Sequence, residues 1–174
     1  MIKEGEYHYY YQAFYTPKNM NVEEVLEKLK SEQNEKLHLQ IINPTFIVSE
    51  RHISISVYHT LKAFTNKRNI ARDPAAEFLL RVSGNRQIDN ALKLFGIKKT
   101  CKIALIIAFG GGSEENKKAI QQFLEAVEIS KSDQIQIHFP LLSLEELSKK
   151  YQCKNDIETI EKQVLEEIAS LVVL

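Results

Sequence analysis

Three consecutive glycines, Gly110-Gly111-Gly112, followed by Ser113, form the pattern that points most directly to chemistry. They separate an apolar run that predicts a buried strand from a stretch that predicts a helix, and phosphate groups often bind at such helix N-termini. The pattern has no GK[ST] ending to supply a lysine for phosphates and a hydroxyl for magnesium, and it is not GxGxxG. Glu114 and Glu115 would occupy the first helical turn and repel an anion. We therefore favour a flexible turn, and a small-ligand or phosphate site at residues 110–112 is the alternative.

The histidines do not follow a known metal-binding spacing. None lies in HExxH or in a cysteine–histidine pattern. His52 and His59 are seven residues apart, whereas a ligand pair on one helix is normally four apart, so we expect exposed or interface histidines there. His8 and His138 are expected to be strand residues on the solvent face. The five histidines are His8, His38, His52, His59 and His138.

Other nucleophiles and acids give no catalytic pattern either. Cys101 and Cys153 are far apart and form no CxxC pair, which argues against a disulfide framework or a zinc site. No serine lies in GxSxG, and the glutamates fall on the polar faces of amphipathic helices. We predict no catalytic residue, no metal and no cofactor, and therefore a binding protein rather than an enzyme.

Charge is distributed unevenly although the formal net charge of the chain is zero. From Lys62 to Lys102 there are ten basic and three acidic residues, a net charge of +7, which leaves −7 for the rest. Such an asymmetry can mark a side that faces an anion. Charge alone favours the simpler interpretation, a solvated surface whose counter-charges fold alongside it.

Length and composition predict one domain, residues 1–174, with an ordinary globular core, since 44% of the residues are hydrophobic. The longest apolar run, Ile103 to Phe109, has seven residues, whereas a membrane span needs about 20. Residues 1–30 contain no apolar signal region. We expect a cytoplasmic protein that does not enter a membrane.

Hydrophobic periodicity and capping residues predict an α+β fold, a two-layer sandwich with a mixed or antiparallel sheet packed with helices. The apolar positions expected inside the short helix at 87–95 are Ile88, Ala91, Leu92 and Phe95. Strands are expected at 7–15, 37–42, 102–109 and 135–139. Helices are expected after Asn21, at 49–65, from Asp73 to Gly84, at 87–95, at 113–127, after Ser143 and from Asn155 onward, the last with an apolar stripe of Ile157, Ile160, Val164, Ile168 and Leu171.

The chain ends on four aliphatic residues, Leu171 to Leu174. Such a tail in water is an apolar patch at a terminus, so it either docks on its own core, which we favour, or helps to bind another protein. For the second case the expected partner-binding residues are Ile168, Leu171, Val172 and Leu174.

Residues 73–97 resemble the signature of the small regulatory subunit of the KEOPS (EKC) complex, the PRPK-binding protein family. The match is a helix ending in E-x-L-L-R-x-S-G, a polar residue, R-Q-I, an alanine three positions on, and F-G-I. Asn85 departs from the threonine or serine that is more usual in the family. The matching positions are Glu77, Leu79, Leu80, Arg81, Ser83, Gly84, Arg86, Gln87, Ile88, Ala91, Phe95, Gly96 and Ile97.

The resemblance implies a non-enzymatic adaptor. Family members bind the N-lobe of the atypical kinase-like ATPase of a complex that installs threonylcarbamoyl on adenosine in certain tRNAs. They are also linked to capture of the single-stranded 3′ CCA end of tRNA. Whether this chain self-associates, which tRNAs it prefers and whether it alters its partner's ATPase are left open.

A connection between two helices offers a mechanism for RNA binding. Free backbone N–H groups at the start of the second helix, together with side-chain amides and a guanidinium, can hold phosphates and unpaired base edges. For Arg81 and Arg86 the alternative is structural, because either could cap carbonyls or pair with Glu77 or Asp89. The connection consists of Ser83, Gly84, Asn85, Arg86 and Gln87, and the cations expected to add a salt-dependent term are Lys62, Lys67, Arg68, Arg72 and Arg81.

Overall fold

The computed structural model describes residues 7–171, with four strands and seven α-helices. A short 3-10 turn at Pro44–Phe46 precedes the second helix. In chain order the elements are β1 (Tyr9–Tyr15), α1 (Val22–Ser31), β2 (His38–Ile42), α2 (Glu50–Thr65), α3 (Pro74–Ser83), α4 (Ile88–Phe95), β3 (Ile103–Phe109), α5 (Ser113–Ala126), β4 (Gln134–Ile135), α6 (Leu144–Tyr151) and α7 (Ile157–Ser170).

The chain folds into two compact units, which we call the sheet unit (residues 7–43 and Gly96–Ile137) and the helical unit (Pro44–Phe95 and 138–171). Each unit is assembled from two separate stretches of chain. The single domain expected from length alone remains a prediction.

The sheet unit holds four antiparallel strands in the order β2-β3-β1-β4. The expected central strand is confirmed: every residue from Ala104 to Phe109 has no exposed surface. One face of the sheet packs against α1 and α5 through Ile106, Leu39, Ile120 and Phe123. This arrangement confirms the expected α+β class with an antiparallel sheet.

The helical unit has its own apolar cluster, in which α6 and α7 pack against the start of α2. Leu147, Ile160, Val164 and Ile168 are buried there beside Val48 and Ile55. The Tyr151 hydroxyl donates a hydrogen bond of 2.9 Å to the carbonyl of Phe46. Burial raises the pKa of this phenol far above its ordinary value, so the hydroxyl stays protonated and keeps donating.

Local signals placed most helix boundaries correctly. The side chains of Asn21, Ser49, Asp73 and Ser143 accept backbone N–H bonds at the starts of α1, α2, α3 and α6. For α7 the prediction was one residue early, because the cap is Asp156, which accepts from the backbone of Thr159, and not Asn155.

Two other expectations were wrong. The strand expected at 135–139 is reduced to Gln134–Ile135, because beyond it the alternating residues find no strand to pair with. On α4, Ala91 and Phe95 are buried as expected, but Ile88 is 41% exposed and Leu92 46% exposed. Ile157, in the first turn of α7, was expected in the apolar stripe of that helix but is 39% exposed.

Candidate nucleic-acid interface

A fully buried ion pair lies on α3. Glu77 is 0% exposed and Arg81 1% exposed, one turn apart and in the order that the helix dipole favours. The Nε of Arg81 donates to Oε1 of Glu77 at 2.8 Å, and Nη2 makes a short contact with the same oxygen. Burying two charges is tolerated only when they are paired and their remaining groups are bonded. The pairing of these two residues, expected from their spacing, is confirmed.

The second oxygen of Glu77 holds the loop that precedes α3. Its Oε2 accepts the backbone N–H groups of Ile70 and Ala71, each at 2.7 Å. Arg72 follows directly, and Asp73 then caps α3 by accepting from the backbone of Ala76 at 2.9 Å. The backbone on both sides of the exposed Arg72 is therefore fixed. A buried carboxylate thus positions a cation that faces solvent.

The C-terminus of α2 positions two further cations. Lys67 has a positive φ of 54°, and the N–H of Arg68 donates to the carbonyl of Ala63 at 2.8 Å. This is the Schellman arrangement, in which the residue after the helix is left-handed and the next N–H bonds back to the last turn. Glycine usually occupies the left-handed position, and here a lysine does. Both Lys67 and Arg68 are exposed.

At the other end of α3, the turn into α4 is fixed mainly by its own backbone. Gly84 is left-handed, with φ 64°, and the N–H of Asn85 donates to the carbonyl of Leu80 at 3.1 Å. A Cβ on Gly84 would lie 3.0 Å from a carboxylate oxygen of Glu167 on α7. Glycine is therefore required here both by its conformation and by a close approach. Ser83 is buried and donates to the carbonyl of Leu80.

The two remaining polar residues of this turn reach solvent. Arg86 is exposed, and one of its guanidinium nitrogens lies 3.4 Å from the carbonyl of Leu171 at the end of α7, a long hydrogen bond. Cations are favoured at helix C-termini, so the carbonyl-capping alternative for Arg86 is present in the structure. Gln87 is also exposed and accepts from the amide of Asn90 at 3.0 Å.

The predicted RNA-binding residues therefore fall at the two ends of α3. Arg72 lies just before its N-terminal end and Ser83 to Gln87 at its C-terminal end, whereas Lys62 lies on α2 and lines a cavity together with Arg81. A helix of ten residues spans about 15 Å, so one nucleotide cannot reach both ends. Two members of the set are buried, contrary to the expectation of exposed contacts: Arg81 lies against Glu77 and Ser83 under its own turn, and their part in RNA binding stays a prediction. Neither presents a side chain to solvent.

The predicted partner-binding residues also need correction. Ile168 and Leu171 are buried, with 1% and 7% exposure, and Ile168 packs within the apolar cluster of the helical unit. They stabilise the fold and present no docking surface. Val172 and Leu174 lie outside the described residues. By contrast, Ile88 and Leu92 of α4 were expected to be buried and are exposed.

The glycine turn gives the phosphate-site alternative no support. Gly110 has φ 93° and lies so close to the chain that a Cβ would meet the carbonyl of Lys36 at 2.4 Å. The carboxylate of Glu115 accepts the N–H of Gly112 at 3.3 Å and so occupies the N-terminus of α5. An anion arriving there would meet a negative charge in place of free N–H groups.

One histidine is central to the helical unit, contrary to the expectation of an exposed residue. His52 is fully buried, with Nε2 at 2.8 Å from the carbonyl of Val82 and Nδ1 accepting from the N–H of Val48 at 3.4 Å. The sequence offered little signal for this burial, because His52 follows the charged residues Glu50 and Arg51 in the first turn of α2. His8 and His138 are exposed as expected, but neither lies within a strand.

The described part of the chain offers no metal-binding cluster of three or more histidine, cysteine or acidic side chains. Both cysteines are unpaired and half-buried, and burial, followed by the nearby charges of Asp156 and Glu167, raises the pKa of the Cys153 thiol. A cavity of about 570 Å³ in the sheet unit is lined by residues such as Asn21, Glu24 and Lys28. Within residues 7–171, no helix is long and apolar enough to cross a membrane.

Comparison with known proteins identifies the family of this chain. A subunit of the EKC/KEOPS complex, CGI121 of Candida albicans (strain SC5314 / ATCC MYA-2876), is 28% identical over 79 residues, 44% of this chain. The chain spans about two fifths of the length of that relative, 39%. The model of the family described as kinase binding protein CGI-121 matches residues 18–171, which include every element from α1 to α7 and leave out β1. The chain therefore belongs to the CGI-121 family of kinase-binding proteins.

Proposed function

We propose that this protein is a non-catalytic adaptor subunit of a cytoplasmic KEOPS-type tRNA-modification complex, in which it binds the kinase-like ATPase subunit and the 3′ CCA end of tRNA. The complex would install threonylcarbamoyl on adenosine of its tRNA substrates. The kinase-binding part rests on the family match over residues 18–171, and the assignment to a KEOPS-type complex rests on the similarity to the Candida subunit. Residues 1–174 are proposed to act as one module.

The observation that carries the RNA part is the fixed set of exposed cations in the helical unit. Lys67, Arg68 and Arg72 lie on a short stretch whose backbone is anchored to the α2 terminus and to buried Glu77. Because the backbone of this stretch is already fixed, phosphate binding has to order only the side chains, which lowers its entropy cost. Arg86 lies about 15 Å away at the opposite end of α3. Two phosphate-binding points at such a separation suit a flexible single strand better than one base.

We expect fluorescence anisotropy to show that tRNA with its CCA end binds the chain and that the same tRNA without CCA binds much more weakly. Arg72→Ala should weaken binding and reduce the slope of log affinity against log salt by about 0.7, the value for one single-stranded phosphate contact. Arg86→Ala should do the same from the other end of α3. Lys118→Ala, an exposed lysine of α5 in the sheet unit, is the matched control.

If neither tRNA binds at low salt, the RNA role of the isolated chain is wrong and a scaffold that binds only the kinase remains. If both bind equally and Lys118→Ala weakens binding as much as Arg72→Ala, binding is non-specific and the proposed interface is wrong. If the two tRNAs bind equally but Arg72→Ala weakens binding more than Lys118→Ala does, recognition of the CCA end is wrong and the proposed interface is retained.

For the kinase partner we propose the apolar face of α4 in place of the buried end of α7. Ile88 and Leu92 are four residues apart, so they lie on one side of the helix, and both are more than 40% exposed. Exposed aliphatic pairs of this kind are typical of the centre of a protein interface. The chain itself leaves this face uncovered within residues 7–171.

We expect Leu92→Glu to lower the affinity for the kinase-like ATPase subunit at least tenfold, because a charge would be buried at the interface without a partner. Isothermal titration calorimetry against the purified partner measures it. Leu141→Glu, which changes another exposed leucine of the helical unit, is the control. Unchanged affinity for Leu92→Glu, with normal folding of the variant, would exclude this face.

A further inference from the structure

A small cavity in the helical unit lies between the C-terminal part of α2 and α3. Its volume is about 10 Å³, close to the room that one water molecule or one oxygen atom needs. It is lined almost entirely by nitrogen-bearing side chains and contains no acidic group. The lining residues are His59, Lys62, Ala63, Asn66, Arg68 and Arg81.

Arg81 presents an unused donor to this cavity. Its Nε and Nη2 both donate to Glu77, whereas its buried Nη1 has no hydrogen-bond partner within residues 7–171. The side chain is 1% exposed, so bulk water does not satisfy this donor either. An unmade bond on a buried cationic donor is costly. Because a guanidinium only donates, whatever completes the site must be a hydrogen-bond acceptor.

His59 supplies a second nitrogen in the same place. Its Nδ1 is buried and, among the described residues, also without a partner. Burial, together with the nearby positive charges of Arg81 and Lys62, lowers the pKa of His59 to about 4. The ring is therefore neutral at pH 7, and in the tautomer with hydrogen on Nδ1 it donates toward the cavity. One acceptor atom could then satisfy both Arg81 and His59.

The charge around the cavity favours an anion over water as the acceptor. Glu77 balances Arg81 but leaves Lys62 and Arg68 uncompensated at the site. The ammonium of Lys62 is held over the ring of Tyr58, 5.1 Å from its centre and 3.1 Å from its hydroxyl. Arg68 is exposed beside the cavity and its backbone is fixed by the α2 terminus. A water molecule would accept the hydrogen bonds of the donors but would not offset the positive charges of Lys62 and Arg68.

We propose that this cavity is a phosphate-binding site, in which one phosphate oxygen accepts from Arg81 and His59 and the other oxygens are held by Lys62 and Arg68. The proposal goes beyond RNA binding by the chain, since the same chemistry fits inorganic phosphate and a phosphate of RNA. It assigns Arg81, which is buried from bulk solvent, a role in addition to its pairing with Glu77.

The test is an NMR titration of the full isotope-labelled chain with inorganic phosphate, with sodium chloride at equal ionic strength as the reference. We expect saturable shifts at the Arg81 guanidinium and the His59 ring, and a rise in the pKa of His59 above about 4 when phosphate is bound. Arg68→Ala and His59→Phe should each weaken phosphate binding about tenfold, the usual loss for one charge-assisted bond. Lys118→Ala should leave it unchanged.

Shifts no larger than those in chloride would show that only water fills the cavity and would overturn the proposal. The proposal would also be overturned if the shifts were spread evenly over the exposed lysines and were unaffected by His59→Phe, because phosphate would then act only by non-specific screening of charge. Competition between phosphate and a CCA-ending oligonucleotide would identify RNA as a source of the bound group. Phosphate binding in a chain that binds no tRNA would support the site while rejecting the RNA function.

Discussion

Replacing Arg81 by methionine is expected to destabilise the protein by about 3–5 kcal/mol, the usual cost of leaving one member of a buried ion pair alone. Methionine has a similar length but no charge, so Glu77 would keep its bonds to Ile70 and Ala71 and lose its cation. A fully buried carboxylate without a cation raises its pKa and tends to take up a proton. The free energy of unfolding, measured by urea denaturation at pH 7, gives the loss.

The chain contains a matched control for this pair. Lys149 and Glu145 are also four residues apart on a helix, at 2.7 Å, but their side chains are 73% and 67% exposed. Lys149→Met should cost no more than about 0.5 kcal/mol, as is typical of exposed helical pairs. A similar loss for the two variants would mean that burial adds nothing to the Glu77–Arg81 pair, contrary to the structure.

A double substitution separates pairing from packing. Glu77→Gln combined with Arg81→Met removes both charges, and the introduced glutamine can still accept a loop N–H through its amide oxygen. We expect the double variant to be more stable than the sum of the two single losses predicts, with a coupling energy in the range of about 0.5–3 kcal/mol for residues in contact. Additive losses would show that the two side chains act independently.

The helix starts and the central strand could be predicted because their signals are local. A cap such as Ser49 or Asp73 bonds to a backbone group three residues away, and continuous apolar character predicts a strand buried on both faces. The α7 boundary shows the limit of this reasoning. Asn155 and Asp156 are both good capping residues, and sequence alone does not decide between neighbours.

Burial of polar residues could not be predicted, because it depends on segments that are distant in sequence. The spacing of Glu77 and Arg81 predicts a pair, but their complete burial requires α2 and the loop at 66–73 to cover them. Sequence reasoning identified Glu77 and Arg81 as a possible pair and Gly84 as the end of a helix, but not what these residues hold in place. In the structure Glu77, paired with Arg81, holds the loop at 66–73 through two backbone N–H groups. Gly84 leaves room for the close approach of Glu167.

The exposure of two expected core residues of α4 also could not be predicted from the sequence, because burial depends on distant segments. Its apolar residues fit one helical face well enough to predict that four of them are buried, yet two are exposed. Periodicity gives the direction of the apolar face but not the width of the surface that covers it. This mismatch between pattern and burial is what makes Ile88 and Leu92 candidates for contact with a partner.

Acid should destabilise the protein through His52. Burial lowers its pKa to about 4, whereas the unfolded chain has a histidine pKa of about 6.5. Between these values the histidine is protonated in the unfolded state and neutral in the folded state. The free energy of unfolding therefore falls as pH decreases from about 6.5 to about 4. At about 1.4 kcal/mol per pH unit the loss from this one residue is about 3 kcal/mol, and above pH 6.5 it contributes none.

The structure explains why His52 stays neutral. A carbonyl only accepts, so Nε2 carries the hydrogen that is donated to Val82, and Nδ1 is the acceptor for the N–H of Val48. The ring also packs edge-on against Phe95, 6.0 Å between centres. A proton on Nδ1 would turn this acceptor into a second donor facing the N–H of Val48. Protonation therefore breaks a bond as well as burying a charge.

His52→Gln is the variant that tests this account. A glutamine amide can donate to Val82 but does not titrate, so the variant should be somewhat less stable at pH 7 and lose about 3 kcal/mol less than the parent between pH 6.5 and 4. The pKa of His59 is also lowered to about 4, and in phosphate-free buffer at constant ionic strength its contribution is the same in parent and variant and cancels in the comparison. His138→Gln, an exposed histidine, should leave the parent slope intact. If His52→Gln retains the full acid slope, the stability of this protein at low pH is set by other groups, and the buried imidazole is not the acid-sensitive contact between α2 and the end of α3.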